Sequence, residues 1–323
     1  RPRALVLITR PGAAAAAAPL LVALLGPSCP VPVVACRSVP AWVGALDVVL
    51  AHTTDPGDRE LAVGIDRAVR RGAHVVLTAP SDGPVVSAAA GRCVLLTPRI
   101  DVPLGLVLPR ALAAGLLLLD ALGLLHTDPE VLAGELDREA ERDHPAHESF
   151  VNPAKSLALR MAGRTPLLWG IDPVAIAVAG HGAGSLAAHA GLVAHAAGIH
   201  EAAALPALRR EAASAVGEHD VFRDPFLDEP AGGQLPSVRP LLLGVVDDPD
   251  SAPARAAVGD MLPGIETADG VGAGEELMID PGDPAAAACA AAVLALRLDM
   301  AALYLGLGRG VLGGPGRVGT GTA

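Results

Sequence analysis

LDVVLAHTTDPGDRELAVGIDRAVRR, residues 46–71, is the stretch that decides the fold. Leu46 to Ala51 is an apolar, β-prone run. It stops at a short polar loop, His52 to Asp58, holding Thr53, Thr54, Asp55 and Gly57. A helical pattern with apolar Leu61, Ala62, Ile65 and Val69 follows at once. The spacing predicts a strand, a tight turn and a helix N-terminus. Such a junction gathers backbone N–H groups and hydroxyls at one spot, with the positive end of the helix dipole behind them, and suits phosphate above all. The plainer reading is that Thr, Asp and Gly cap the helix. Both readings stand at this point.

The same alternation extends outward. Strand-like runs are expected at Ala4–Thr9, Val31–Ala35, Asp47–Ala51, His74–Ala79 and Cys93–Thr97, with helices at 13–25, 59–71, 83–90 and 108–125. Short β-rich runs alternating with helices predict an α/β fold, a doubly wound parallel sheet covered on both faces. Ligands in such sheets sit at the carboxyl ends of the strands. Thr9-Arg10-Pro11-Gly12, the Thr53 loop and Thr78-Ala79-Pro80-Ser81 all fall there. The candidate anion-binding residues are therefore Thr9, Gly12, Thr53, Thr54, Asp55, Thr78 and Ser81.

Composition narrows the function classes. The 323 residues are 51% hydrophobic, enough for two cores, and the net charge of −11 argues against a nucleic-acid surface. Lys155 is the only lysine, which fits Arg, Ala, Gly and Pro bias in a GC-rich genome. Cys29, Cys36, Cys93 and Cys289 form no CxxC pair. They are expected to be buried small residues in a reducing, cytoplasmic setting. The apolar stretches 111–125 and 285–308 carry Asp120 and Arg297 with Asp299, and read as buried helices, not membrane spans. Their apolar surface exceeds what one domain needs to bury, so a homodimer is expected. Gly12–Gly26 reads as an internal helix, not a signal peptide. The chain opens RPRALVLITR without an initiator Met, as a processed or truncated form would.

Residues 126–150 are charged and read as an exposed helix plus linker. His126, Asp128, Asp143, His144 and His147 match no metal-ligand spacing, and no metal or other cofactor is expected. A second alternation begins with the strand TPLLWG (165–170). A small-residue helix at 173–197, a strand at Arg239–Val246 leading to Asp247–Asp250, a helix at 252–262, a short strand at Leu277–Asp280 and a long helix at 284–307 follow. The expected organisation is a first domain at 1–145, a second at 146–308 and a mobile Gly-rich tail at 309–323.

Several motifs now line up. ACRSVPAWVGALDVVLAHTTDPGDRE (35–60), PRALAAG (109–115), NPAK (152–155) with GRTPLLWG (163–170), and Leu303-Tyr304-Leu305 occur in order. Together they resemble bifunctional phosphoglucose/phosphomannose isomerases over most of the chain. Those enzymes carry two SIS (sugar isomerase) domains. The resemblance implies two three-layer α/β/α domains with parallel sheets. It also implies binding of a sugar phosphate and interconversion of glucose or mannose 6-phosphate with fructose 6-phosphate. Arg110, from PRALAAG, would stabilise the enediolate. The starting residue leads to the expectation that the family's N-terminal helical segment is missing here.

The departures bear on catalysis. The family's GMGGSA loop corresponds to TRPGAA (9–14), without its serine, and SYSGNTEE corresponds to 51–60, where Pro56 displaces the final Thr. The glutamate base of L-x-E-N-A falls at Ala194 of LVAHA (192–196), with His195 in place of the Asn. The ring-opening histidine stretch corresponds to LRRE (208–211), and no lysine follows Lys155. His195, His200, Glu201 and Glu211 are the candidate substitutes for the base. Three functions follow: a phosphosugar isomerase, a catalytically inactive phosphosugar-binding or regulatory protein of the same fold, and a structural dimer with a vestigial pocket. A dinucleotide reading of VAIAVAGHGAGS (174–185), as strand, Gly-rich turn and helix, competes, although Ser185 takes the last Gly position of GxGxxG. His181, His189 and His195 do not share one helical face, so metal binding is not expected there.

Overall fold

The computed structural model describes residues 1–217, 238–246 and 284–312. The predicted segments 247–250, 252–262 and 277–280, and the tail from residue 313, lie outside the described residues. Two compact units emerge: Arg1–Gly134 with Asp283–Ala292, and Glu135–Gly282 with Val293–Ala323.

The first unit holds a parallel five-stranded sheet. Its strands are β1 (Ala4–Ile8), β2 (Val33–Cys36), β3 (Asp47–His52), β4 (His74–Thr78) and β5 (Val94–Leu96), in the order β2-β1-β3-β4-β5. The helices are α1 (Ala13–Leu25), α2 (Arg59–Arg70), α3 (Pro84–Ala89) and α4 (Leu108–Ala121). The period-two alternation of the strands sorts side chains between two layers. Val6, Ile8, Val49, Ala51, Val75 and Leu77 pack with Leu61, Ile65 and Val69 of α2 and Val85 of α3. The intervening residues, among them Leu5, Leu7, Val48 and Leu50, are buried on the opposite face. Helices α1 and α4 pack against each other there, so closely that a Cβ on Gly115 would lie 2.3 Å from Leu21 Cδ1. Asp47, fully buried at the start of β3, is held by Arg3 Nε at 3.0 Å and by the Gly44 N–H.

Two connecting loops of this unit touch. Val85 N–H donates to the Pro56 carbonyl at 3.2 Å, and Gly83, at φ +101°, has Pro56 within 2.7 Å of where a Cβ would stand. Pro56 is thus where the loop after β3 packs on the loop after β4.

Helix α5 (Pro129–Arg142) begins in the first unit's range and continues into the second's, which holds α6 (Pro153–Met161), β6 (Thr165–Gly170), α7 (Pro173–Ser185), β7 (His195–Gly198), α8 (Ile199–Ala203), α9 (Pro206–Gly217) and β8 (Val238–Leu243). The last helix, α10 (Pro284–Gly308), runs through both units' sequence ranges. The described strands are parallel, in the order β7-β6-β8. Leu167, Trp169, Val238 and Leu242 pack with Ile199, Ala202, Ala212 and Ala215. On the other face, Gly182 of α7 lets Leu168 and Leu298 approach to about 3 Å of its missing Cβ.

Four expectations change. The helix expected over 173–197 ends at Ser185. A π-helical turn, Leu186–Ala190, and Gly191 at φ +59° close it, and 195–198 becomes strand β7. The dinucleotide reading fails because Val174–Ser185 is helix throughout, started by the Asp172 cap and Pro173. The charged segment is not simply exposed: Glu135, Glu139 and Asp143 are buried. Arg297 binds Glu139 through both Nε and Nη2, which makes burial of that carboxylate tolerable. Of the cysteines, only Cys289 is buried; Cys29, Cys36 and Cys93 are half-exposed at the sheet margins. Ala285–Gly308 is the one described helix long and apolar enough to cross a membrane, and most of it is buried within the protein.

Candidate functional site

The register pairs His52, the last residue of β3, with Thr78, the last residue of β4. Alternation puts both on the face of Val48 and Leu50, the face that α4 covers. Helix α4 then brings Arg110, in its first turn, to the same place. These three residues, with Thr53, Thr54 and Asp101, line a pocket of about 130 Å³ at the carboxyl ends of the strands. That is room for a small anion or for one end of a sugar phosphate.

Two of its polar side chains lack partners among the described residues. His52 is 7% exposed and neither ring nitrogen has a protein partner; Thr78 is 2% exposed and its hydroxyl has none. Burial, with the positive charge of Arg110 adding to it, pushes the His52 imidazole down to about 4, so the ring is neutral at pH 7. Arg110 donates to the Ile100 carbonyl at 2.8 Å, and no carboxylate among the described residues pairs with it.

The Thr53 loop behaves differently. Thr53 Oγ1 accepts from Asp55 N–H at 3.0 Å and faces the Asp55 carbonyl at 3.2 Å. Asp55 Oδ1 accepts from Gly57 N–H, and Asp58 Oδ1 caps α2 by accepting from Leu61 N–H. Asp58 and Glu60 both bind Arg10, at 2.6 and 2.8 Å. The loop's own carboxylates therefore take the N–H groups that phosphate would use, and capping accounts for its geometry.

Of the predicted residues, the pocket brings together Thr53, Thr54, Thr78 and Arg110. Thr9, Gly12, Asp55 and Ser81 stand on neighbouring loops of the same rim, outside its lining. In the second unit, Ala194 precedes β7, and His195 Nδ1 accepts from Trp169 Nε1 at 3.2 Å. Glu201 accepts the Gly198 N–H, while His200 and Glu211 are exposed. His181 bonds buried Asp299 at 2.8 Å. Among the described residues no three His, Cys, Asp or Glu side chains gather as a metal site would need. Sequence reasoning missed His52. The signal was present: counting alternate residues from Val48 and Leu50 puts a histidine on a buried face.

The second unit has a larger cavity, about 480 Å³, lined by Phe150, Leu159, Arg160, Arg164 and Arg239. It lies by the amino-terminal starts of β6 and β8, the end of a parallel sheet away from which ligands are bound. Arg160 and Arg239 also have other interactions. At the carboxyl end of β6, Asp172 Oδ1 accepts from Ala175 N–H, and Oδ2 from Val245 and Val246 N–H.

No protein-family model matches the sequence, and no curated protein does. Solved structures match. The chain is similar to tagatose-6-phosphate ketose/aldose isomerase from Escherichia coli, with a TM-score of 0.61 at 9% identity over 95% of this chain and 82% of that one. It is similar to glucosamine-6-phosphate deaminase from Thermotoga maritima, with 0.59 at 8% identity over 95% and 85%. It is also similar to the C-terminal domain of glucosamine-fructose-6-phosphate aminotransferase from Francisella tularensis, with 0.58 at 10% identity over 96% and 85%. What is shared is the fold. It is a three-layer α/β/α architecture with parallel sheets.

Proposed function

We propose that this protein binds a sugar phosphate in the first unit, through a pocket built on His52, Thr78 and Arg110, and that both units are SIS domains. The carrying observation is the set of buried, unpartnered polar groups beside an arginine at the carboxyl ends of β3 and β4. Their position is the one at which open α/β sheets hold ligands. The three proteins sharing the fold are named for sugar 6-phosphates, which supports the ligand class. Thr53 and Thr54 form the rim, and the sugar extends from the pocket.

Isomerase activity is weak or absent in this reading. Ala194 carries no proton-transfer group, and Glu201 and His195 already serve backbone and Trp169. A missing general base costs about 10²–10⁴ in rate. The protein acts as a cytoplasmic homodimer that binds phosphosugar without efficient turnover. A thermal-shift screen with fructose, glucose and mannose 6-phosphates tests ligand binding, and a coupled assay of fructose 6-phosphate formation tests turnover. The reading predicts stabilisation by at least one sugar phosphate, weakened when Arg110 is changed to Ala. Absence of any stabilisation refutes it. Turnover on the order of 1–10³ per second would refute the inactive form, and a monomer by light scattering would refute the dimer.

A further inference from the structure

We propose that His52 is an anion-binding residue of this pocket and that it binds protonated, an oxyanion beside Arg110 and Thr78 bringing one proton from solvent onto the imidazole. The inference rests on the pocket being an anion site, as proposed above, and adds a proton to it.

A histidine buried with both ring nitrogens unpartnered lacks the hydrogen bonds that normally justify burying it. The charged groups around it are few. Arg110 comes from α4 and Asp101 from the turn before it. The pocket lining from β4 and its loop, Thr78, Ala79 and Pro80, carries no charge, and α1, packed on the same sheet face, has no titratable side chain. Arg10, beyond β1, is committed to Asp58 and Glu60. Burial, and after it the positive charge of Arg110, keeps the ring neutral.

An anion reverses that field. A neighbouring opposite charge raises a buried histidine's pKa by about one to three units. From about 4, the upper end of that rise reaches the range near neutrality. The imidazolium then donates to the anion from one nitrogen, Arg110 from its guanidinium and Thr78 from its hydroxyl. The three donors come from three different segments around one small pocket. The proton is drawn from water or buffer, and no covalent bond is made or broken.

Sulfate is the decisive probe, because it stays a dianion from pH 5 to 8 and any proton taken up must land on the protein. Titration calorimetry on the full chain should show sulfate affinity rising as pH falls, by up to about tenfold per pH unit. Two buffers of different ionisation heat should report on the order of one proton absorbed per sulfate near pH 6. This measurement needs no variant. His52→Gln should flatten the pH dependence, and Asp101→Asn should retain it. A pH-independent wild-type affinity, a slope surviving in His52→Gln, or a slope lost in Asp101→Asn overturns the proposal while leaving the pocket an anion site. If the wild type binds no sulfate, the proposal falls. Whether fructose 6-phosphate still stabilises the protein then tells whether the function proposed for the pocket falls with it.

Discussion

The carboxyl ends of β3 and β6 meet the same physical problem and answer it oppositely. At β6, one buried carboxylate, Asp172, collects three backbone N–H groups and ties the start of α7 to the end of β8. That junction satisfies itself and has no call for an anion. At β3 and β4, the loop after Thr53 also satisfies itself, but the strand ends leave an imidazole and a hydroxyl without partners, beside an arginine with no carboxylate. The difference teaches that, at these two rims, a helix N-terminus does not mark the site. Unmet hydrogen-bonding capacity does.

The largest expected effect tests the sealed junction. Asp172→Ala removes the acceptor of three N–H groups, and a buried N–H left unsatisfied costs about 1–3 kcal/mol. Urea unfolding should show a loss of about 4 kcal/mol. A loss below about 1 kcal/mol would mean that Asp172 is not what closes this rim.

The second effect contrasts the units by pH. His52 is depressed from 6.5 to about 4 by burial and then Arg110, so the stability it contributes is present above 6.5 and lost as pH falls towards 4. Asp143, buried and repelled by Glu139, is raised from 3.8 to about 7. Its contribution is full below 3.8 and is lost as pH rises through 7. His52→Asn should remove an acid-side loss, and Asp143→Asn an acid-side gain, each on the order of 2 kcal/mol across the window. Chemical denaturation at pH 4.5 and 7.5 checks both signs. The same sign in both variants would break the contrast.

The open rim should respond in ligand affinity and hardly in stability. Arg110→Ala removes charge-assisted hydrogen bonds worth about 1.5–3 kcal/mol, roughly ten- to more than a hundredfold in sulfate affinity. The melting temperature should barely move, because only the Ile100 carbonyl loses a donor. The smallest effect is Thr78→Val. With no partner to lose, the fold should keep its stability or gain a few tenths of a kcal/mol, while sulfate binding weakens about fivefold. A clear loss of stability in Thr78→Val would show that the hydroxyl already has a structural role.

Much of this was legible in the sequence, for stated reasons. Four of the first unit's strands, β1, β3, β4 and β5, are short apolar runs that end at a Thr, and such runs between helical patterns read as strands. β7 was not legible, because HAAG has no β-branched residue and continues an Ala-rich helical pattern. The burial of Glu139 depends on Arg297, 158 residues away, and no local pattern carries that. Arg110, Thr53, Thr54 and Thr78 were legible as site residues because they stand at strand ends or open a helix. His52 was passed over because it sits next to a hydroxyl-rich loop and reads as part of it, although it is the last residue of the buried strand.

Gly115 sets a tolerance in the mechanical sense. It is five residues beyond Arg110 on α4, about 7.5 Å along the axis, and it is not one of the residues lining the pocket. Yet it is the bearing surface on which α4 rests against Leu21. A methyl group there acts as a shim: either Leu21 yields, or the helix lifts and draws the guanidinium back from the strand ends. The reach of the pocket's one cation is therefore adjustable from a position that never meets a ligand. Variation between relatives at such a hidden seat can retune the site with its lining unchanged.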